Sequence, residues 1–253
     1  MQVQDKDKTP ISFIVKAASI LLRLNPGRLE RKFREREIYQ TIRVEPPIAL
    51  RLDGVGWGRR LRGRYDWPRD PRIHRALVRA SVELVRELHA CCGLVISDEL
   101  NIVITREPPY NGRVEKIVSI SAGIASATIS AALGHSLYLD SRVVKLHTVH
   151  DAIEYMLYRM RVGLNNYVSS IYHSLARGDP ARTPSLEQMI TELEGMDLPP
   201  LIWEPWRLLG TCTTYTKSLK QIGSIRAERR RLISIDAAPG LCIRALKKAF
   251  TAP

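Results

Sequence analysis

The chain has 253 residues, of which 45% are hydrophobic and 26% charged, and its formal net charge is +13 at pH 7. This length can bury a substantial core, and the absence of an uninterrupted apolar run of about 20 residues argues against a transmembrane helix. A charge this positive favours a polyanionic partner, most simply RNA. The four cysteines include no Cys-x-x-Cys pair. They therefore predict neither structural zinc nor a disulfide scaffold, and the expected location is a reducing cytoplasm.

The N-terminal stretch from Ile11 through Leu24 predicts an amphipathic helix with a basic face. Lys16 and Arg23 interrupt its apolar residues, and no small-residue cleavage site follows. Such a helix can lie on a membrane surface. We favour the non-membrane interpretation and expect no membrane partner.

Hydrophobic periodicity and turn residues predict a β-α-β-β-α-β order between residues 48 and 146. The first strand ends at Asp53, and a tight turn that contains Asp98 joins the second and third strands. We expect the first helix to end near Cys92-Gly93, where glycine can form the cap. The predicted elements are strand 48–52, a helix from 71, strands 94–96 and 100–104, a helix from about 114 and strand 143–146.

Three acidic residues are expected to meet at one edge of this sheet. In a split βαβ fold the first and third strands are antiparallel neighbours, so Asp53 at the end of one lies beside Asp98 and Glu99 at the start of the other. Carboxylates placed in this way can hold two metal ions that activate a hydroxyl and stabilise a leaving phosphate. Asp-Gly and Ser-Asp-Glu are also common in turns that bind nothing, and that structural interpretation stays open.

A run of arginines follows the first acidic turn. Such a dense cluster beside a proposed active-site loop favours contact with RNA or triphosphate over a merely solvated loop. The predicted RNA-binding residues are Arg59, Arg60, Arg62 and Arg64.

Several short motifs occur in a fixed order along residues 35–217. They are Arg51 through Trp57, Ser97 through Leu100, Lys116 before a small-residue helix, Leu139 through Val143, Tyr158-Arg159 with Asn166, and Trp203 through Arg207 with Gly210. In this order they resemble the tRNA-His guanylyltransferase family and its guanylyltransferase-like relatives. The resemblance implies an α+β fold with a polymerase-palm-like, ferredoxin-like split βαβ core, added helices and a mixed C-terminal region. The expected domains are an N-terminal basic helical extension at 1–33, a palm-like catalytic domain at 34–178 and a C-terminal region at 179–253 that packs on the palm and extends the RNA-binding surface.

The resemblance also implies an enzyme, a magnesium-dependent nucleotidyltransferase acting at the 5′ end of tRNA. It would add GTP-derived or template-matched nucleotides by 3′-to-5′ polymerisation, after ATP activates a 5′-monophosphate or directly on a 5′-triphosphate. Its partners would be tRNA and nucleoside triphosphates, and relatives of this kind are commonly dimers or tetramers. Leu164 replaces the histidine of a eukaryotic motif, which favours the guanylyltransferase-like branch that repairs truncated tRNA 5′ ends.

Carried over by position, Asp53 and Asp98 would bind two magnesium ions together with the Gly54 carbonyl. Glu99 would support them as the third catalytic carboxylate. The loop from Asp53 through Gly58 would hold the nucleotide, since small residues let backbone amides approach phosphates. The implied nucleotide-binding residues are Asp53, Gly54, Val55, Gly56, Trp57, Gly58, Ser97, Asp98, Lys116, Arg142 and Asn166.

Departures from the family pattern leave two alternatives open. A lysine common in the family is missing from the segment Trp67-Pro68-Arg69-Asp70, where Arg69 or a nearby arginine is the expected substitute. Met160 and Val162 stand where the family has glutamine and aspartate. The alternatives are a nucleotide cyclase-like palm enzyme that uses free nucleotides and a non-catalytic tRNA-binding relative.

Overall fold

The computed structural model describes residues 11–66, 69–175, 184–222, 225–236 and 239–251. The chain divides into two compact units, Met1–Ile42 and Arg43–Pro253. The first unit contains helices α1 (Ile11–Leu22) and α2 (Pro26–Arg34). Helix α2 begins after Asn25, whose side chain accepts a hydrogen bond from the Arg28 amide. Its first turn contains a proline. Both features are favoured at helix starts.

The second unit is built on a six-stranded sheet with the order β4-β1-β3-β2-β5-β6. All neighbouring strands are antiparallel, which confirms the expected pairing of the first and third strands. The last two strands join the same sheet beside β2, so the C-terminal region extends the palm-like core. The strands are β1 (Ile48–Gly54), β2 (Cys92–Ile96), β3 (Glu99–Ile104), β4 (Leu139–Lys145), β5 (Thr211–Ile222) and β6 (Ile225–Asp236).

Helices cover both faces of the sheet, and successive side chains of a strand pack into the cores on opposite faces. Leu50 and Ile102 face a core formed with α4 and α5, whereas Ala49 and Val103 face a core formed with α6 and α9. This alternation follows the two-residue period of a strand. The helices of this unit are α3 (Trp57–Arg60), α4 (Pro71–Glu87), α5 (Val114–Leu133), α6 (Val149–Leu175), α7 (Leu186–Glu194), α8 (Pro205–Leu209) and α9 (Pro239–Thr251).

Helix α4 ends earlier than the sequence suggested. It stops at Glu87, and His89 takes a left-handed conformation with φ of 50°. Cys92 and Gly93 instead begin β2. A Cβ atom at Gly93 would lie 2.4 Å from the Ser81 hydroxyl oxygen. The glycine is therefore explained by close helix–strand packing rather than by a helix cap.

Helix α5 has the length and composition of a membrane span. Its mean hydropathy is 1.5, and it is the single helix within the described residues that meets this criterion. In the fold it packs against α4 and β4, and Ile117, Ala125 and Ile129 are buried in the core. A core helix of a folded domain accounts for its apolar sequence.

The cysteine prediction was wrong. Cys212 and Cys242 form a disulfide that joins β5 to α9, with a Cα–Cα distance of 6.0 Å, while Cys91 and Cys92 are free thiols. The two bonded cysteines are 30 residues apart in sequence. The packing of α9 on β5 brings them together, and no short spacing motif in the sequence predicts this pairing. The cysteines no longer supply an argument for a reducing compartment.

Candidate active site

A two-residue turn carries Asp98 at one end of the sheet. β2 ends at Ile96 and β3 begins at Glu99, with Ser97 at φ of 58°. A left-handed conformation at a non-glycine residue costs about 1 kcal/mol and often marks a functional turn. Asp53 pairs directly with Glu99 across β1 and β3. The expected meeting of the two acidic segments at one sheet edge is confirmed.

The carboxyl group of Asp98 has an elevated pKa. Burial is the largest cause, and the charges of Asp53 and Glu99 raise the pKa further, against hydrogen bonds from the Asp98 amide and the Ser97 side chain. No ion pair to Asp98 occurs within the described ranges. The cationic Arg69 lines the same cavity and interacts electrostatically with Asp98, but the two side chains form no ion pair within the described ranges.

The oxygen atoms at the end of the sheet that carries Asp53 and Asp98 are suited to a magnesium ion that binds together with a nucleotide. The described part of the chain contains no cluster of three or more His, Cys, Asp or Glu side chains suited to a metal. Mg²⁺ is usually bound by one or two carboxylates together with substrate phosphates and water. Asp53, Asp98 and the Gly54 carbonyl are hard oxygen donors of this kind. A Cβ atom at Gly54 would lie 2.5 Å from the Trp57 ring, so glycine lets the indole pack against the end of β1.

Glu99 is placed differently from the other two carboxylates. It is 4% exposed and accepts hydrogen bonds from Arg51 Nε at 2.8 Å, Arg159 Nε at 2.7 Å and Asn101 Nδ2 at 2.7 Å. Arg159 Nη2 also donates to it. Both carboxylate oxygens are engaged by these donors, and the catalytic role expected for Glu99, as a carboxylate that supports Asp53 and Asp98, stays a prediction. Tyr155 completes the network by donating to Asn101 Oδ1 at 2.6 Å.

Strand register places alternating acidic and basic rows on the α6 face of the sheet. Asp53 stands opposite Glu99 and Asp140, and two residues earlier Arg51 stands opposite Arg142. Arg142 donates to Asp140 Oδ2 at 2.7 Å, and Asp140 Oδ1 is buried with no hydrogen-bond partner. Sequence reasoning missed the contributions of Arg51 and Asp140. Their two-residue spacing from Asp53 and Arg142 was the available signal.

A cavity of about 540 Å³ opens beside Asp98. Four residues predicted to bind nucleotide line it, and Arg62 of the arginine run stands in its wall. The lining also includes Arg69, the expected substitute for a family lysine, together with Tyr65 and His74, which sequence reasoning did not place at a nucleotide site. The predicted lining residues are Trp57, Gly58, Ser97 and Asp98.

The floor of this cavity depends on the C-terminal hairpin of β5 and β6. Thr211 donates its hydroxyl proton to Asp236 Oδ1 at 2.6 Å, so His74 must donate from Nε2 to the Thr211 oxygen at 2.7 Å. Trp206 stacks on the His74 ring at a centroid distance of 4.4 Å. Burial lowers the pKa of His74 to about 4, so the ring is neutral at pH 7. Trp206 therefore packs against His74 of the protein with one face of its ring.

Arg69 is committed to the protein backbone. Its guanidinium donates to the Gly163 carbonyl at 2.8 Å and to the Arg207 carbonyl, and it lies 4.8 Å from the centre of the Tyr167 ring. Burial lowers its pKa to about 10, which leaves it cationic at pH 7. Its place at the cavity is as expected, but its donors are used elsewhere. Trp67 and Pro68 of the same segment lie outside the described residues.

Seven of the eleven residues predicted to bind nucleotide do not line this cavity: Asp53, Gly54, Val55, Gly56, Lys116, Arg142 and Asn166. Lys116 is exposed in the first turn of α5, shortly after Gly112, whose carbonyl accepts from the Val44 amide just ahead of β1. Since β1 runs from there toward Asp53, Lys116 belongs to the opposite end of the sheet. Asn166 is exposed on α6, about one turn beyond Gly163, which packs closely against Ile96.

Of the four predicted RNA-binding arginines, Arg62 lines the cavity. All four are exposed in α3 and the loop that follows it, directly after the end of β1. Arg60 lies over the Tyr138 ring at 4.8 Å from its centre. Val55 and Gly56 are exposed in the preceding turn, and the Val55 amide donates to the Tyr138 carbonyl at 2.9 Å. That amide is therefore already used by the protein.

Comparisons with known proteins agree with this geometry. Residues 30–153 match the family model described as tRNAHis guanylyltransferase. A bacterial tRNA(His) guanylyltransferase-like protein in complex with GTP is 19% identical, with a TM-score of 0.65 over 89% of this chain and 97% of that one. Its complex with ATP is 20% identical, with a TM-score of 0.63 over 81% and 90%. The tRNA(His) guanylyltransferase from Saccharomyces cerevisiae is 15% identical, with a TM-score of 0.58 over 71% and 91%. No curated protein sequence matches the chain.

At these identities the structural likeness shows the fold, which is the palm-like α+β architecture expected from the sequence. The family match adds the sequence evidence, because residues 30–153 include β1 through β4 and both acidic turns. Through residues 30–153 the chain matches the tRNA-His guanylyltransferase family, whose members are nucleotidyltransferases.

Proposed function

We propose that the protein is a magnesium-dependent nucleotidyltransferase that adds nucleotides to the 5′ end of tRNA. The observation that carries the proposal is the carboxyl group of Asp98, which lines a cavity, has no ion pair within the described residues and has its pKa raised by the nearby charge of Asp53. Two Mg²⁺ ions held by Asp53, Asp98 and the Gly54 carbonyl would neutralise phosphate charge and stabilise the attacking and leaving oxygens. GTP and ATP are the proposed substrates, in line with the nucleotides bound to the bacterial relative.

The side chains around this pair have distinct tasks in the proposal. Arg51 and Arg159 fix Glu99, which ties β1, β3 and α6 together behind the acidic turns. Glu99 is therefore a positioning residue. The cavity volume falls within the usual range for small-molecule sites, and exposed Arg62 in its wall supplies a cation for nucleotide phosphates. Trp57 shapes the rim, held by a hydrogen bond from its Nε1 to the Tyr138 carbonyl.

The proposed reaction extends RNA in the 3′-to-5′ direction. ATP first transfers AMP to the 5′-monophosphate of the tRNA and releases pyrophosphate. The 3′-hydroxyl oxygen of the incoming nucleotide then forms a bond to that 5′ phosphorus, the bond to AMP breaks, and AMP leaves with the electron pair while the hydroxyl proton is lost. With a 5′-triphosphate the leaving group is pyrophosphate.

One assay tests the activity. The protein is incubated with labelled GTP, ATP, Mg²⁺ and 5′-monophosphorylated tRNA, and we expect label at the RNA 5′ end. Label in a cyclic nucleotide without tRNA would instead indicate the cyclase-like alternative. Tight tRNA binding with no product of either kind would indicate a non-catalytic relative.

Substrate choice tests the branch of the family. Since Leu164 replaces the motif histidine, we expect a tRNA that lacks its first nucleotide to be extended opposite its 3′-strand partner, whichever tRNA it is. Extension of full-length tRNA-His alone, with truncated tRNAs ignored, would contradict the repair assignment. We further propose that the protein is cytoplasmic and forms a homo-oligomer, either a dimer or a tetramer. Mass measurement in solution tests the oligomeric state.

A further inference from the structure

A second cavity, which we call the basic cavity, lies at the opposite end of the sheet from Asp98. It has a volume of about 630 Å³ and lies between the loop after β3, the start of β2, the β5–β6 hairpin and α9. Its lining contains four cationic side chains and one carboxylate. These are Arg106, Lys217, Arg230, Lys248 and Glu107.

The charge of this lining favours an anionic ligand. Lys217 forms an ion pair with Glu228, and both side chains are about half exposed. Four cationic side chains against one carboxylate make the lining predominantly basic. The cations come from four separate segments of chain, so the fold and not a local run of sequence assembles them.

Arg230 is the best-defined cation in this cavity. Its guanidinium lies 3.7 Å from the centre of the Tyr215 ring. It stands opposite Lys217 in the register of β5 and β6, and Glu228 forms an ion pair with that lysine. No carboxylate pairs with Arg230 within the described ranges. A stacked guanidinium keeps its N–H edges available, and these match phosphate oxygens.

The same stacking argues for a phosphate backbone rather than a nucleobase. Tyr215 and His89 are the aromatic side chains of the lining, and Arg230 already covers one face of the Tyr215 ring. Proteins that hold bases offer open aromatic faces, whereas contacts to phosphates need only placed cations. The chemistry here is therefore that of a backbone contact.

We propose that the basic cavity binds the sugar-phosphate backbone of the RNA whose 5′ end lies at Asp98. The inference rests on the proposed function. From Glu99 to Thr105 the chain advances six strand residues, or roughly 20 Å at about 3.3 Å per residue. At about 3.4 Å per phosphate along one strand, that distance corresponds to roughly six base pairs of a stem. A stem of about four base pairs should not reach the basic cavity, and one of about twelve should.

Cys91 provides a reporter inside the basic cavity. Its thiol is partly exposed, lines the cavity and donates to the Ala245 carbonyl at 3.4 Å. A hydrogen bond with Cys92 and the charge of Arg230 lower its pKa, which favours reaction with a maleimide. Cys92 is fully buried. Labelling of the full-length protein, corrected with a Cys91→Ser variant, thus measures access to the cavity.

The experiment compares maleimide labelling of Cys91 with no RNA, with the short stem, with the long stem and with GTP alone. We expect protection by the long stem only. Protection by GTP alone would overturn the proposal in favour of a second nucleotide site, and equal labelling with and without the long stem would overturn it outright.

Arg230→Glu is tested against Arg229→Glu, a matched variant on the same strand whose side chain points to the other face. We expect Arg230→Glu to weaken long-stem binding about tenfold and to reduce its salt slope by about 1, while nucleotide addition to the short stem is unchanged. Equal effects of the two variants would overturn the proposal. Short-stem addition by the unmodified protein tests the proposed function separately, since it does not involve the basic cavity.

Discussion

Asp98 and Glu99 are neighbours in the chain, yet the structure treats their carboxyl groups in opposite ways. Glu99 is almost fully buried and receives hydrogen bonds from Arg51, Arg159 and Asn101. Asp98 faces a cavity, has no ion pair within the described ranges, and has a pKa raised by burial and by Asp53. Glu99 is paired with two arginines of the protein, whereas we propose that Asp98 binds a cation supplied with the nucleotide.

In our proposal, Glu99 belongs to the structural scaffold, and the adjacent Asp98 belongs to the metal-binding site. A buried carboxylate surrounded by arginines stabilises one arrangement of strands and helix but has no lone pair left for a metal. A partly desolvated carboxylate beside another carboxylate gains from metal binding, because the metal removes their repulsion. The two-residue turn is what places successive side chains in these two settings.

The largest expected effect comes from removing the charge of Asp98. Asp98→Asn should lower nucleotide addition by at least about a hundredfold, since lost metal stabilisation of the transition state is worth several kcal/mol. Folding and tRNA binding should stay nearly intact. Single-turnover addition, circular dichroism and tRNA binding on one preparation check this.

Glu115→Gln, on the exposed first turn of α5, is a charge-matched control expected to keep full activity. Asp53→Asn should resemble Asp98→Asn. Turnover equal to the unmodified protein in a well-folded Asp98→Asn variant would refute the two-metal site.

Glu99 should show the opposite behaviour, with a loss of stability rather than of chemistry alone. Glu99→Gln leaves the buried Arg159 guanidinium without a charge partner, which should cost about 3 kcal/mol of unfolding free energy. Urea denaturation measures the loss. Asp140→Asn is the control, since its pair with Arg142 is about half exposed and should contribute less than about 1 kcal/mol. If Glu99→Gln were fully stable and inactive, Glu99 would belong to the reacting site and the contrast with Asp98 would fail.

The sequence was sufficient for the parts of the site that depend on strand order. Asp53 and Asp98 each end or begin a strand with a clear apolar pattern, so antiparallel pairing brings them together whatever the details of packing. The palm-like core and the family resemblance follow from the same short motifs. For Glu99, one residue further, the sequence predicted a catalytic carboxylate, whereas its contacts with Arg51 and Arg159 indicate a positioning residue.

The missing features depend on contacts between distant segments. Arg159 reaches Glu99 from α6, 60 positions away, and Thr211 reaches His74 across 137 positions. Hydrophobic periodicity gives the exposed and buried faces of α6 but not which strand residue lies beneath Arg159. The Cys212–Cys242 bond has the same origin, because it depends on how α9 docks on β5.

The arginine loop beside the cavity sharpens the comparison, because its cations should meet RNA phosphate in solvent. Replacing Arg60, Arg62 and Arg64 together with glutamine should weaken tRNA binding and reduce the slope of log affinity against log salt by up to about 3. A triple glutamine variant of Arg75, Arg79 and Arg86 on the exposed side of α4 removes the same charge elsewhere. Equal slopes for the two triple variants would remove the loop from the RNA-binding surface.

The smallest effect concerns stability without metal and tests the electrostatic cause itself. Because the pKa of Asp98 is raised in the folded state, its contribution to stability is fully present below the unfolded pKa near 3.9 and is lost as pH rises through the folded value. At pH 7 without Mg²⁺, Asp98→Asn should therefore melt higher than the unmodified protein, by roughly 2–4 °C for about 1 kcal/mol. At pH 3.5 this difference should vanish.

Millimolar Mg²⁺ at pH 7 should raise the melting temperature of the unmodified protein and not that of Asp98→Asn, since only a ligand that binds the folded state adds stability. Melting curves at both pH values, with and without Mg²⁺, measure all four conditions. If Asp98→Asn melted lower at pH 7 without metal, the Asp98 carboxylate would be a stabilising part of the turn, as Glu99 is of the sheet, and the two neighbours would no longer differ in kind.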